Sequence, residues 1–317
     1  MWLLNSSIGK KLIMSISGLF LVLFLLFHLS MNVTAVFSGE AYNMVCSLLG
    51  SNWYAVAATL VLAAGVVIHF VYAIILTLQN RKARGNDRYN VSKKPATVEW
   101  SSQNMLVLGI VILAFLVVHL IQFWAKMQLQ EIRGAEGVLP PSMGTLFIQE
   151  AFSSVWTPII YIIGFVALWF HMNHGFWSMF QSAGWNNITW LPRLKKIACW
   201  WTSIVVLVFI AQAIVFTINA NNDFYKKDAT LREQYKEVMG DVVGIPVDRF
   251  KYDDFSTTVR EHVSQLQGLL AQPQQAMQVG ATEEMLNTEI ARFEPVISLL
   301  DYLEDTPATT VNVQPEN

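Results

Sequence analysis

Five apolar runs, at residues 12–35, 53–79, 102–126, 154–181 and 198–220, decide what this chain can become. A bilayer is crossed by about 20 helical residues, and each run is long enough to do so. With 54% hydrophobic and 14% charged residues, against about 25% charged in ordinary soluble domains, the chain reads as an all-α membrane protein with five transmembrane helices. The first run is longer than a signal-peptide core and carries His28 deep within it. It is therefore read as a retained span and not as a cleaved leader.

The formal charge of -2 conceals a division, because residues 1–220 hold 13 Lys/Arg and 6 Asp/Glu whereas residues 221–317 hold 8 and 17. Two units are expected: a transmembrane domain over 1–220 and an acidic, mainly helical extension over 221–317. Helix-like stretches in the extension lie at about 223–240, 253–272 and 281–304. Basic clusters alternate along the chain. Lys10 and Lys11 precede the first run; Arg81, Lys82, Arg84, Arg88, Lys93 and Lys94 fill the second loop; Arg193, Lys195 and Lys196 fill the fourth. The intervening loops hold no such charge over 36–52 and only Arg133 over 127–153. Positive charge stays on the cytoplasmic side, which predicts a cytoplasmic N-terminus and an extension on the opposite face.

Five of the six histidines, His28, His69, His119, His171 and His174, lie in these runs. An ionisable side chain in a membrane helix is costly and points to function. At 1.5 Å per residue, His28 lies about 25 Å from Lys11 and His119 about 10 Å from Lys126, so both belong to the outer half. By the same rise His69 is about 18 Å from Arg81 and His171 about 15 Å from Gln181, which places both in the inner half. Two histidines in each of two layers, supplied by four helices, is the arrangement of two stacked bis-histidine metal centres in a bundle. A packed histidine bonded to a carbonyl explains any one of them alone, but not the paired depths.

A haem iron with two axial imidazoles is saturated and suits electron transfer. Zinc needs four ligands together, whereas the spacing divides these two and two. Cys46 and Cys199 form no Cys-x-x-Cys-His motif, so a haem here is expected to be held non-covalently. Gly18 and Gly109 lie ten residues to the cytoplasmic side of His28 and His119, and Gly164 seven residues outward of His171. At these points a helix that ligands one macrocycle can let the other approach its backbone, although small residues also serve plain helix contacts. Ser15, Gln103, Gln181 and Ser182 are candidate partners for haem propionates. His171 and His174 lie about 60° apart around a helix, and counting does not choose between them. His262, in the polar extension, reads as a surface residue.

Taken together, Ser15-x-x-Gly18 ahead of Phe27-His28-Leu29, His69-Phe-Val-Tyr, Trp100-x-x-Gln103-x-Met105 before Val118-His119, His171-x-x-x-Gly175-Phe176-Trp177 and Leu194-Lys195-Lys196 resemble the dihaem cytochrome b membrane anchor of succinate dehydrogenase and fumarate reductase, the succinate:quinone oxidoreductases. The likeness covers about residues 5–220, and the basic second loop ending Arg88-Tyr89 resembles the form found in Bacteroidetes-type members. The resemblance implies two b haems, one held by His69 and His171 and a distal one by His28 and His119. It selects His171 over His174, leaving His174 near the cytoplasmic edge for a propionate or for packing. It further implies iron-sulfur and flavoprotein subunits on the cytoplasmic side, a quinone pool that is menaquinone in many dihaem members, and a multi-pass place in a bacterial cytoplasmic membrane with a periplasmic C-terminus. The chain would act as a subunit of the oxidoreductase with no catalytic residue and no dicarboxylate site of its own, and nothing points to nucleic acid.

Glu40 is a candidate proton acceptor near a quinone, or a solvated loop carboxylate. Two departures from the family pattern stand out. Trp169 occupies the position where some fumarate-reducing relatives carry a glutamate on a proton route, and the extension is far longer than in typical members. Rival readings are the b-type anchor of another quinone-linked enzyme, such as a hydrogenase or formate dehydrogenase, and a transporter whose histidines relay protons.

Overall fold

The computed structural model describes residues 6–50, 52–84, 99–134 and 137–305, all helix and connecting turns with no strand among them. Arg88, Tyr89, Lys93 and Lys94 of the second loop lie outside the described residues. Five helices are long and apolar enough to cross a membrane: α1 (Ser7–Phe37), α3 (Trp53–Arg84), α4 (Trp100–His119, continued to Trp124 by one π-helical turn), α7 (Trp156–Ser182) and α8 (Trp190–Asn221). Most overrun the apolar stretches that announced them. Hydropathy marks only where hydrocarbon is needed, while a helix goes on until something else satisfies its terminal backbone groups. At the start of α1 that group is Ser6, whose hydroxyl accepts from the Gly9 N–H at 2.9 Å.

The spans alternate in direction, so one end of the bundle gathers Lys10, Arg81, Lys82 and Lys195 and is called here the basic end. The opposite end carries three short helices, α2 (Gly39–Gly50), α5 (Gln128–Arg133) and α6 (Gly144–Phe152). Every residue of α6 except Glu150 is buried, although the stretch reads from sequence as a loop. Its cover comes from far along the chain. Helices α9 (Phe224–Lys227), α10 (Ala229–Val243), α11 (Tyr252–Leu270), α12 (Pro273–Gln278) and α13 (Glu283–Glu304) fold the extension back over α2 and α6. One apolar core runs without a break from Phe165 and Phe209 in the spans, through Phe147 and Phe216, to Tyr225, Tyr235, Phe255 and Ile297.

Local signals shape this extension. The Asp228 carboxylate caps α10 by accepting from the Thr230 and Leu231 N–H groups. Gly244 ends the helix in the left-handed conformation, at φ +69°, where glycine is favoured. Arg260 on α11 clasps Asp301 at 2.7 Å and Glu304 at 3.0 Å on α13, tying the two into an antiparallel hairpin. The expected stretches thus correspond to α9–α10, α11 and α13. His262 corrects one expectation, since its ring is half-buried 5.0 Å from that of Phe293 and is not a free surface group.

The contact between α2 and α6 is close enough that a side chain at Gly144 would run into Cys46 Sγ and Tyr42. Burial pushes the Cys46 thiol up to about 12, which suppresses the reactive thiolate. A membrane-permeant maleimide at neutral pH is therefore expected to modify the exposed Cys199 and to spare Cys46 until the chain is denatured. Equal labelling of both in the folded protein would contradict this packing.

Candidate functional site

Around the bundle α1 packs on α3, α3 touches α4, α4 packs on α7 and α7 packs on α1, with α8 outside against α7 and α1. The diagonals are therefore α1 with α4 and α3 with α7. Each histidine pair spans one diagonal. His28 on α1 faces His119 on α4 with ring centroids 5.7 Å apart, and His69 on α3 faces His171 on α7 at 6.2 Å. Gly18 on α1 lies against His69, its notional Cβ 3.5 Å from the ring, and Gly109 on α4 lies 4.0 Å from His171 in the same way. Each glycine is ten residues from the histidine of its own helix, so the two layers are about 15 Å apart.

Neighbouring polar groups hold the rings. Ser17, buried beside Gly18, places its hydroxyl 3.2 Å from His69 Nδ1. Tyr161 on α7 places its hydroxyl 3.1 Å from His119 Nδ1 and donates to Gln122 Oε1 at 3.0 Å, while Gln122 donates to Thr157 at 3.0 Å. The π turn that carries Gln122 begins directly after His119; such turns insert one extra residue and recur at functional sites. The chain of bonds ends at a cleft of about 230 Å³ lined by Gln122, Lys126, Glu150, Trp156 and Thr157. His28 is stacked on Phe24, and its Nε2 lies 3.2 Å from Asn32 Nδ2. None of Ser17, Tyr161 or Gln122 was legible as a site residue, because a lone hydroxyl or amide in an apolar run carries no pattern until its partner helix is known; the spacing of Asn32 four residues after His28 on one helix was the signal that could have found it.

Do these residues fit a haem? Two metal–imidazole bonds of about 2 Å, plus the reach from nitrogen to ring centre, bring ring centroids about 6 Å apart, close to both observed separations. His171 Nδ1 is buried without a hydrogen-bond partner, and all four histidines remain half-buried, not sealed into a packed core. Among the described residues no group of three or more His, Cys, Asp or Glu converges, whereas a porphyrin iron needs only two axial ligands. One feature opposes the fit. The Asn32 amide must release His28 Nε2 before that nitrogen can bind a metal.

His174 points elsewhere, which separates it from His171. Its Nδ1 lies 3.2 Å from Glu99 Oε2, and the other Glu99 oxygen accepts from Lys195 at 2.7 Å. Lys195 in turn sits 4.3 Å over the Trp177 ring. Burial raises the Glu99 carboxyl, but the bonds from Lys195 and His174 outweigh it and hold it below the usual range. This cluster pins α4, α7 and α8 together at the basic end.

The remaining expected residues are less involved. Ser15 donates to the Lys11 carbonyl within its own helix, and Ser182 to the Ser178 carbonyl. Gln103 and Gln181 are exposed near the basic end. Glu40 is exposed in the first turn of α2, where a carboxylate favours the helix N-terminus. Gly164 departs from its expected use: the Phe115 ring lies over it, 2.5 Å from its notional Cβ, so it serves the packing of α4 on α7. Trp169 donates its indole N–H to Ser203 at 3.0 Å, joining α7 to α8.

Among the described residues, fold and site together define an all-α arrangement with five helices able to cross a membrane and two stacked imidazole pairs between four of them. No protein-family model matches the chain, and no curated protein or solved structure matches it either.

Proposed function

We propose that the chain is a dihaem b-type membrane anchor that passes electrons between a quinone, menaquinone on the resemblance above, and cytoplasmic iron-sulfur and flavoprotein subunits acting on succinate or fumarate. The observation that carries this reading is the pair of imidazole layers, 5.7 and 6.2 Å between centroids, on the two diagonals of one bundle. His28 and His119 would hold one haem, and His69 and His171 the other. When bound, such a haem supplies a one-electron carrier with no open coordination position.

The chain's own residues bind and orient. Ser17 and Tyr161 steady two of the imidazoles, Gly18 and Gly109 leave their neighbours room, and the apolar helix surfaces keep water from both layers. By the positive-inside rule the basic end faces the cytoplasm of a bacterial cell and serves as the docking face, with residues 221–317 on the periplasmic side. The quinone head group is assigned to the cleft beside Gln122 and Thr157, which Tyr161 joins to His119. Succinate chemistry belongs to the partner subunits.

A reduced-minus-oxidised spectrum of the purified chain is expected to show a b-type band, with a haem-to-chain ratio near two. Iron-sulfur and flavin subunits are expected to co-purify. A spectrum without that band would sink the reading and favour a proton-coupled transporter. A b-type band accompanied by hydrogenase or formate dehydrogenase subunits would keep the haems and reassign the head.

A further inference from the structure

The hydroxyl beside each layer carries a single hydrogen, and in both cases it is committed elsewhere. Ser17 donates to the Met14 carbonyl at 3.1 Å, and Tyr161 donates to Gln122 Oε1 at 3.0 Å. Towards His69 Nδ1 and His119 Nδ1, at 3.2 and 3.1 Å, these oxygens therefore offer only lone pairs. Where the hydroxyls keep those two bonds, the histidine is the donor. A neutral imidazole has one N–H, and placing it on Nδ1 leaves Nε2 of His69 and of His119 as a bare lone pair, the form in which imidazole binds a metal.

The other member of each pair lacks this support, and in different ways. His171 Nδ1 is buried without a partner, so no hydrogen bond at that nitrogen fixes its tautomer. Asn32 Nδ2 donates both to the His28 carbonyl at 2.8 Å and to His28 Nε2 at 3.2 Å. The first bond fixes the amide with its nitrogen towards the ring, so the second occupies the lone pair a metal would take.

We propose that Ser17 and Tyr161 are positioning residues that hold His69 and His119 as the anchored ligand of each layer, and that Asn32, by engaging His28 Nε2, makes the His28–His119 layer the first to release its haem. The haem part rests on the function proposed above; the assignment of the N–H to Nδ1 does not. Changing a residue that orients a metal-binding histidine costs about 10–100-fold in affinity, so the effects are large enough to separate.

Two measurements on the full-length chain test this. In the first, haem release under an imidazole challenge is followed for wild type, Tyr161→Phe, Ser17→Ala and Asn32→Leu, with His171→Ala supplying the reference spectrum of the His28–His119 layer. Tyr161→Phe is expected to release that layer's haem at least about tenfold faster, Ser17→Ala to do so only for the His69–His171 layer, and Asn32→Leu to slow release from the former. Variants that release both haems at wild-type rates would overturn the proposal. So would a wild-type chain whose His69–His171 haem leaves first.

In the second measurement, ¹⁵N-histidine spectra of chain made without haem report the tautomers directly. His69 and His119 are expected with hydrogen on Nδ1, and Tyr161→Phe is expected to release only His119 from that state. Hydrogen on Nε2 in either residue overturns the positioning roles whether or not haem binds. The expected tautomers in a chain that takes up no haem would remove the function reading and leave the positioning roles standing.

Discussion

A His171→Ala chain is expected to purify with one haem where the proposed function expects two in the wild type, while His174→Ala is expected to keep the wild-type number. The two residues are three positions apart on α7, and their side chains leave the helix in different directions. His171 faces His69 across the diagonal at 6.2 Å, whereas His174 Nδ1 lies 3.2 Å from Glu99. Removing the first imidazole leaves His69 facing no second imidazole, so the proposed haem there would lack one axial ligand. Removing the second leaves Glu99 with Lys195, a partly exposed contact of the kind worth about 1 kcal/mol or less. Pyridine haemochrome determination on both variants measures the difference directly. Loss of a haem from His174→Ala with retention in His171→Ala would move the ligand and overturn the site described here.

Deleting residues 222–317 is expected to abolish accumulation of the folded chain, spans included. A typical soluble appendage leaves its anchor intact when removed, but here the extension covers α6, whose Leu146, Phe147 and Ile148 are almost fully buried. It also satisfies polar groups of the outer helices. Asn43 donates to Gln234 at 2.9 Å, Thr145 Oγ1 lies 2.8 Å from the Tyr235 hydroxyl, and Gly39 lies tight against Leu231. A milder probe is Phe255→Ala. Its ring is fully buried in the shared core, and truncating such a ring costs about 3–5 kcal/mol. Thermal unfolding followed by both tryptophan fluorescence and haem absorbance is expected to shift together. A truncated chain that keeps its melting temperature and both haems would show the extension to be an independent appendage.

The helical class was legible because hydropathy is a local property. Residues 12–35 or 198–220 must be helical in a bilayer whatever surrounds them, since no other conformation of a single segment satisfies its backbone there. Outside the bilayer the same reasoning weakens. Helix α6 escaped notice because its burial depends on α2, on the far end of α8 and on α9, the last more than seventy residues later in the chain. Nothing near His262 in sequence discloses the Phe293 ring it lies against. From sequence Gly164 suits a macrocycle or a plain helix contact, and only the position of Phe115 distinguishes them.

By itself the amino-acid sequence determined the five helices able to cross a membrane, the histidines they carry and the division of these into two depths, because rise per residue is constant along a helix and needs no knowledge of neighbours. Tertiary structure alone decided the order of helices around the bundle, which makes α1 with α4 and α3 with α7 the diagonals. It also decided that His171 and not His174 turns inward, and that Ser17 and Tyr161 touch the imidazoles of other helices. Depth is set within one helix. Rotation about the helix axis is set by packing between segments distant in the chain, and the hydrogen bonds that orient His69, His119 and His174 depend on it.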